Sequence, residues 1–347
     1  MTVSALTRPG ERRRLVVKLS EIDWTFCAAI TVIAVAGGAM LYSVAGGEWK
    51  PWAAQHLIRY GLWFVVMIAL ATLDLQVWFA LAYPVYAVGL VLALARFYHS
   101  LSGRRAKLSW WLLIPALLIA MPVALVMKQP DLGTALLIAA VGITMMILAG
   151  LSLKLVGAGA ALVAGVIPVA HKILKPYQWT RLTTFLNPDA DKSGAGYHTI
   201  QAKIAVGSGG LLGKGFGLGS QSELNFLPEK QTDFIFTTLA EEFGLAGGLG
   251  LLALYTVIIV WGFALALRSR NQFGRLLGLG IVTSFFLSVF INAAMVMGMI
   301  PVVGVPLPLI SYGGTAMLAV MLGFGLVINV GVHRDTRLNR RGERQPA

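Results

Sequence analysis

Asp233 is the residue best placed to do chemistry, because it ends a polar segment and stands directly before Phe234, Ile235 and Phe236. Ionisable groups at membrane depth are costly and are interpreted as functional by default. Partial removal of water at such an edge favours a carboxylate that acts as a general base. An aspartate before an apolar run is also typical of a helix N-cap. The local sequence leaves both roles open, and one residue can fill both.

Other polar residues recur at the edges of apolar runs and in one long segment, 175–233. Such positions suit contacts to a polar substrate at the membrane surface. The candidates at the edges are Lys128, Gln129 and Asp131 in KQPDLGT, Arg181 in WTRLTTFLNP, and Ser311 and Tyr312 in PLPLISYGGT. The candidates within the long segment are His198, Gln201, Lys203, Lys214 and Gln221.

The glycine-rich stretch GSGGLLGKGFGLGS contains Lys214 but lacks the Walker A spacing and has no hydroxyl residue after the lysine. We therefore expect no nucleotide site there. Two interpretations remain open. Backbone N–H groups and the ammonium could bind a pyrophosphate, or the glycines could serve a compact loop that needs positive φ angles.

Two acidic residues, Glu241 and Glu242, follow Asp233 by about two helical turns. We expect at least one to be paired or protonated, with an orienting or structural role rather than a catalytic one. Further along, Pro301, Pro306 and Pro308 either end a helix or shape a loop that presents Ser311 and Tyr312. No His, Asp or Glu set in the sequence has the spacing of a metal site, and no serine nucleophile motif occurs.

The elements that must position these residues are membrane helices. The chain of 347 residues is 57% hydrophobic and 12% charged, with a mean hydropathy of +0.76, whereas soluble domains carry about 25% charged residues. Its continuous apolar runs predict an all-α, polytopic protein rather than a β-barrel. The nine runs are 24–44, 57–73, 77–97, 108–127, 134–150, 153–174, 234–267, 274–298 and 313–332. The single cysteine, Cys27, lies in the first run and is expected to pack there.

Charge sets the expected topology. The net charge of +13 comes mainly from short segments between runs and from both ends of the chain, which are therefore expected to be cytoplasmic; nucleic-acid binding is not expected. Two ends on the same side of the membrane require an even number of crossings, so nine crossings contradict this topology. The charge pattern places both ends of the run 77–97 on the cytoplasmic side, although the run is long enough for only one crossing. Either it is a re-entrant hairpin, or one span with its outer loop is absent, which we favour because re-entrant backbone needs surrounding protein.

The remaining division of the chain follows from these runs. We predict a single membrane domain over 1–347, with N-terminal spans in 24–174, a long outer loop in 175–233, C-terminal spans in 234–333 and a basic cytoplasmic tail in 334–347. Within the outer loop, residues 197–206 are predicted to form a short amphipathic helix that lies on the membrane.

With these residues in place, the chain resembles the SEDS family (shape, elongation, division and sporulation), most of all its RodA branch. The matching segments are QPDLGTALL, QWTRLTTFLNP, GYHTIQAKIAVGSGGLLGKGFGLGSQSELNFLPEKQTDFIF, EEFG and GMIPVVGVPLPLISYGG. The resemblance implies a peptidoglycan glycosyltransferase that joins lipid II units on the outer face of the bacterial inner membrane. It also implies a class B penicillin-binding protein and other elongation-complex membrane proteins as partners.

The resemblance also implies roles for residues. The family's essential outer-loop aspartate matches Asp233, as the base or as a ligand of a divalent cation, Mg²⁺ or Mn²⁺. Contacts to pyrophosphate or sugar are expected from Arg181, Lys203 and Lys214. The wider set of expected substrate-binding residues is His198, Gln201, Gln221, Asp131, Glu242, Ser311 and Tyr312.

This chain departs from the family pattern between its third and fourth spans. The family has ten spans, with a Gly-Ala-x-Arg-Trp motif and a Gln-Pro-Ser-Glu helix start in that interval. Here LAYPVYAVGL runs directly into VLALARFYHS. The departure coincides with the fault in the topology count. Two rival functions stay open. One is a flippase or transporter for lipid-linked precursors, which would also need an outer polar pocket and many spans, and the other is a non-catalytic scaffold that activates a partner transpeptidase, which the missing segment favours.

Overall fold

The computed structural model describes residues 15–73, 89–100, 112–128, 131–166, 179, 183–187, 195–219 and 230–336. Helices make up the regular structure of these ranges, which contain no strand. They are α1 (Leu15–Ser20), α2 (Trp24–Val44), α3 (Ala53–Thr72), α4 (Leu90–Ser100), α5 (Leu113–Lys128), α6 (Leu132–Leu148), α7 (Leu153–Val166), α8 (Ala195–Ser208), α9 (Ile235–Leu267), α10 (Gln272–Val296) and α11 (Gly314–Val332).

Within the described ranges, five helices are long and apolar enough to cross a membrane: α2, α3, α9, α10 and α11. α4, α5 and α6 are apolar but shorter. Each predicted apolar run overlaps one helix, which is α7 for the run 153–174, and α2 has the predicted bounds. The predicted helix over 197–206 lies within α8. Most of the run 77–97 lies outside the described residues, since α4 begins at Leu90.

Helix starts follow local capping rules. Asp23 accepts a hydrogen bond from the Phe26 N–H at the start of α2, at 3.1 Å. Asn271 accepts one from the Phe273 N–H at the start of α10, at 2.9 Å. These side chains satisfy N–H groups that have no partner inside the helix.

The core joins α2, α10 and α11 through aromatic rings. The ring of Phe324 contacts Phe26 edge-on with centroids 5.3 Å apart, and it contacts Phe285 at 4.8 Å. Small residues let the helices approach closely. A Cβ on Gly325 would lie 2.8 Å from the Met67 carbonyl oxygen, so α11 and α3 touch at the backbone there, as small residues allow in membrane helices.

A second core forms where α4, α5 and α6 pack against α10. It includes Leu94, Ile119, Met145 and Leu277. In α4 the four consecutive residues 92–95 are at most 5% exposed. Neighbouring protein therefore encloses this short helix on all sides, which is the condition that a re-entrant segment would need.

α9 is broken at Gly244, which has φ 65° and ψ −161°. A straight helix of its 33 residues would be about 50 Å long, whereas the hydrocarbon core is about 30 Å thick. Residues 245–267 alone provide about 34 Å. The break therefore separates a spanning part, 245–267, from a short preceding helix, 235–243.

Candidate functional site

Asp233 lies in a turn, 230–234, directly before α9 and is half-buried. The side-chain amide of Asn292 in α10 donates to the Asp233 carbonyl oxygen at 2.9 Å and to the Val305 carbonyl oxygen at 2.7 Å. Asn292 is fully buried. One amide therefore fixes the backbone of Asp233 against the loop between α10 and α11.

The carboxylate of Asp233 lies beside Gly304 in that loop. A Cβ on Gly304 would be 3.3 Å from Asp233 Oδ2, and Gly304 has φ +70°. Both the contact and the conformation favour glycine at this position. The loop thus leaves room for the carboxylate at the membrane edge.

The predicted N-cap role of Asp233 is wrong. The N-cap residue of α9 is Phe234, and no side chain caps this helix start. The turn 230–234 inserts one residue between the aspartate and the helix, so Asp233 does not occupy the N-cap position.

Ser311 and Tyr312 fasten the second loop to the Asp233 turn. The Ser311 hydroxyl donates to the Thr232 carbonyl oxygen at 2.6 Å and accepts from the Leu307 N–H at 2.7 Å. The Tyr312 N–H donates to the Gln231 carbonyl oxygen at 2.8 Å. The loop interpretation of the proline-rich segment is confirmed, since 297–313 connects α10 to α11 and presents both residues to the turn.

Two residues of α3 join the site and were missed from sequence. The Tyr312 hydroxyl donates to Gln55 Oε1 at 2.5 Å, and the Arg59 guanidinium lies 5.1 Å from the centre of the Tyr312 ring. That distance is within the range of a cation–π contact. Arg59 sits inside a predicted apolar run, and an arginine within a span was the available signal.

The two glutamates of α9 are buried and engaged. Glu241 is 0% exposed and forms an ion pair with Lys214, at 2.7 Å between Nζ and Oε1. Glu242 is 2% exposed and accepts a hydrogen bond from the Ser43 hydroxyl at the end of α2. The expectation that at least one glutamate is paired is confirmed by the ion pair of Glu241, and the orienting role stays a prediction. Lys214, predicted to bind pyrophosphate, holds Glu241 in this structure.

We call residues 209–219 the glycine loop, and it completes the broken helix. A break in a helix leaves carbonyl and N–H groups without their helical partners. The loop supplies four partners: Lys214 N–H to Glu241 O at 3.0 Å, Gly215 N–H to Glu242 O at 3.0 Å, Leu245 N–H to Gly210 O at 2.9 Å, and Ala246 N–H to Leu211 O at 3.0 Å. The compact-loop interpretation is confirmed, with positive φ at 210, 213, 215 and 217. The Lys214 and Gly215 N–H groups are therefore occupied and do not form a phosphate cradle.

A cavity of about 480 Å³ lies where α2, the glycine loop and α9 meet. Its volume is in the range of small-molecule sites, about 300–1,000 Å³. The walls contain two lysines and two glutamates from separate segments. The lining residues are Ser43, Val44, Ala45, Gly46, Glu48, Lys50, Pro51, Trp52, Gly217, Gly219, Lys230 and Glu242.

Asp131 caps α6 at its first turn. Its Oδ1 accepts from the Thr134 N–H at 2.9 Å. Two residues on, a Cβ at Gly133 would be 2.1 Å from the Val303 carbonyl oxygen. The first turn of α6, with its partial positive charge, therefore abuts the loop that holds Gly304.

The remaining predicted residues lie on α8, at the end of α5 in the case of Lys128, or outside the described ranges. The side chain of Lys203 packs directly over Gly298, since a Cβ added to Gly298 would be 2.0 Å from Lys203 Cε. His198 contacts the Tyr197 ring at 5.8 Å, and Gln201 is half-buried on the same helix. Arg181, Gln129 and Gln221 lie outside the described residues.

A divalent cation would find few protein ligands in the described part of the chain, where no three His, Cys, Asp or Glu side chains come together. Asp233 would be a single carboxylate ligand there. Mg²⁺ commonly binds through one or two carboxylates and completes its shell with water and phosphate oxygens, so the donor set fits an ion brought by a phosphorylated substrate.

Comparison with known proteins identifies the family to which this architecture belongs. The family model for FtsW, RodA and SpoVE cell cycle proteins matches residues 86–336. The peptidoglycan glycosyltransferase MrdB of Escherichia coli K12 is 51% identical over 222 residues, which are 64% of this chain and 60% of that protein. The match thus spans about 60% of the relative's length.

Solved structures agree on the fold. A chain from a peptidoglycan synthase complex that coordinates polymerization and crosslinking gives a TM-score of 0.76 at 28% identity, covering 90% of this chain and 98% of that one. The rod shape determining protein RodA of Thermus thermophilus gives 0.65 at 26% identity, covering 90% and 97%. The chain is an integral membrane protein of the FtsW/RodA/SpoVE family, known as SEDS.

Proposed function

We propose that this protein polymerises lipid II into glycan strands, as a glycosyltransferase of cell elongation and shape maintenance. The observation that carries the proposal is the Asp233 carboxylate at the edge of the membrane, which lies against Gly304 on a backbone that Asn292 holds in place. Relatives of this protein are named peptidoglycan glycosyltransferases, which supports the same reaction here.

The reaction needs a base and cations. A sugar hydroxyl of the acceptor gives its proton to the Asp233 carboxylate, and its oxygen forms a bond to the anomeric carbon of the donor. The bond between that carbon and the pyrophosphate oxygen breaks, and undecaprenyl pyrophosphate leaves. Lys50 and Lys230, which line the cavity, are suited to bind the pyrophosphate charge. A divalent cation, when bound at Asp233, would neutralise further negative charge of the leaving group.

The distribution of charged groups favours an enzyme over a flippase. Glu241, Glu242 and Lys214 gather at the end of the bundle that holds Asp233. At the opposite end of α3, the buried amide of Asn329 donates to the Ala71 carbonyl oxygen at 3.0 Å and so caps that helix. A flippase would need a polar path that reaches the inner leaflet, whereas the buried Asn329 amide is used to cap a helix end.

The proposed reaction also implies where the site lies and which partner the protein has. The site would face the outer side of the bacterial inner membrane, with both chain ends cytoplasmic. A class B penicillin-binding protein would crosslink the strands. A neighbouring solved structure is of a synthase complex that coordinates polymerization and crosslinking, which supports such a partner.

Polymerisation of fluorescent lipid II by the purified full chain, alone and with its transpeptidase partner, tests the proposal. We expect glycan strands from the unsubstituted protein and none from Asp233→Asn. Asp335→Asn is the matched control, because Asp335 is an exposed residue in a surface ion pair and such pairs contribute little. Strand formation by Asp233→Asn would contradict the base assignment. Partner activation without strand formation by the unsubstituted chain would favour the scaffold.

A further inference from the structure

The glycine loop presents leucines that no part of the described structure covers. Leu211 is 73% exposed, Leu212 is 83% exposed and Leu218 is 62% exposed. Three leucines of one short loop are thus directed away from the protein. Exposed apolar patches of this kind mark contact with a membrane or a partner.

The backbone ladder places these leucines at the depth of the first turn of a spanning helix. The Ala246 N–H donates to the Leu211 carbonyl oxygen, and the Leu245 N–H donates to that of Gly210. From Leu245 to Arg268 the helix rises about 34 Å, close to the hydrocarbon thickness of about 30 Å. With Arg268 at one surface of the bilayer, Leu211 and Leu212 lie at the boundary of the hydrocarbon in the other leaflet.

The exposed loop surface is continuous with the lipid-facing surface of α9. Leu245 and Leu249 are one turn apart on that helix and are 53% and 55% exposed. Phe216 in the loop lies 6.1 Å from the ring of Phe243, at the end of the short preceding helix. A single apolar surface therefore runs from the membrane span onto the loop.

Aromatic residues border this surface as they do at membrane interfaces. Phe216 stacks on Tyr42 with ring centroids 6.4 Å apart, and Tyr42 contacts Trp49 at 5.1 Å. Trp49 is 58% exposed. Tyrosine and tryptophan are enriched at the headgroup level of bilayers.

Charge does not oppose insertion of the loop. Lys214 is the single charged residue in the sequence 209–219, and its ammonium is paired with Glu241 inside the protein. The loop is also held rigidly, since a Cβ at Gly213 would be 2.1 Å from the Glu242 carbonyl oxygen. Its leucines cannot withdraw into the protein without breaking the ladder.

We propose that the glycine loop is a membrane-inserted wedge, whose leucines 211, 212 and 218 contact lipid acyl chains at the boundary of the leaflet on the Asp233 side. The occupant is lipid because the surface continues the lipid-facing side of α9 at the same depth. Gly217 and Gly219 of this loop also line the cavity, so the inserted face and the cavity wall belong to one rigid unit. This inference does not depend on the proposed glycosyltransferase activity.

Site-specific fluorescence in reconstituted vesicles tests it with the full chain. In a Cys27→Ser background, an environment-sensitive dye is attached at Leu212→Cys, at Val260→Cys and at Asp335→Cys. Val260 is 62% exposed in the middle of the α9 span and reports the bilayer interior. Asp335 lies beyond α11 and is exposed, so it reports water. Each variant is first compared with the background for its thermal midpoint.

We expect the dye at position 212 to show blue-shifted emission. Lipids with a shallow nitroxide should quench it more than lipids with a deep nitroxide, and aqueous iodide should quench it several-fold less than the dye at 335. The dye at 260 should prefer the deep nitroxide. Iodide quenching at 212 equal to that at 335, without lipid quenching, would overturn the proposal and leave the leucines as a surface for a protein partner.

Discussion

Lys214 and Glu241 form an ion pair of 2.7 Å between the glycine loop and the broken helix α9. The pair lies beside two of the four backbone hydrogen bonds that join these segments, since the N–H of Lys214 itself donates to the carbonyl oxygen of Glu241. The same two residues are thus linked through both main chain and side chain. This double link makes the loop part of the helix's structure.

The first prediction concerns Lys214→Ala. The Glu241 side chain is 1% exposed and that of the lysine 30%, so the substitution leaves a buried carboxylate without its ammonium. Loss of one partner of a buried pair costs about 3–5 kcal/mol, and partial exposure of the lysine reduces this to about 1–3 kcal/mol. We expect a lower thermal midpoint in detergent.

A double-mutant cycle checks the assignment. Lys214→Met with Glu241→Gln should lose less stability than the sum of the two single changes, because neither charge is then left alone. Lys154→Ala is the control, as Lys154 is exposed on α7, and it should leave the midpoint unchanged. Strict additivity in the cycle would mean that the pair contributes nothing.

The second prediction uses two glycines of the same helix. Gly244 has φ +65° and its Cβ would lie 2.4 Å from the Gly213 nitrogen, whereas a Cβ at Gly250 meets nothing within 4 Å. Gly244→Ala should destabilise the protein by more than about 1–3 kcal/mol, the usual cost of such a backbone conformation. Gly250→Ala should be neutral or stabilise by up to about 1 kcal/mol, the helix preference of alanine.

Thermal unfolding of both variants, together with lipid II polymerisation, decides between a required break and an incidental one. If Gly244→Ala were as stable and active as Gly250→Ala, α9 would tolerate a continuous helix and the ladder to the glycine loop would be dispensable.

The spans could be predicted from sequence because each is a continuous apolar run of membrane length. The same signal concealed the break at Gly244, since the apolar run continues on both sides of Glu241, Glu242 and this glycine. The length of α9 was an available clue, as 33 residues exceed what the hydrocarbon core requires. The choice of Gly244 as the break depends on the glycine loop, which is distant in sequence.

Asp233 was identified from sequence through its position at the end of a polar segment. The residues that hold it were not, because Asn292 lies inside an apolar run and acts on two carbonyl groups from different loops. Contacts of this kind depend on tertiary packing. Lys214 is a second example, since its position in a glycine-rich loop suggested phosphate, whereas its ion pair with the buried Glu241 could not be predicted from the sequence.

The third prediction separates two roles of Asp131. Its Oδ1 caps α6 through the Thr134 N–H, and asparagine caps as well as aspartate. Asp131→Ala should therefore cost about 1 kcal/mol, whereas Asp131→Asn should keep the stability of the parent. The thermal midpoints of the two variants measure this difference. If Asp131→Asn unfolds as early as Asp131→Ala, the charge and not the cap stabilises the helix start.

The last prediction concerns Asn292, the residue that positions Asp233. Asn292→Leu keeps the approximate volume but removes the donor to the carbonyl oxygens of Asp233 and Val305. Each buried carbonyl left without a partner costs about 1–3 kcal/mol, so for the two carbonyls we expect a loss of about 2–6 kcal/mol in stability. The turn that carries Asp233 would also lose its tie to the loop that contains Gly304.

Ser288→Ala is the matched control on the same helix, one turn before Asn292. The Ser288 hydroxyl donates to the Ser284 carbonyl oxygen within α10, at 3.0 Å, so its loss leaves the loops untouched. At a temperature where both variants are folded, Asn292→Leu should lower kcat for strand formation and leave KM for lipid II close to that of Ser288→Ala. This pattern is expected because the base is displaced while the cavity lysines keep their places. Equal kcat values for the two variants would show that Asp233 holds its position without Asn292.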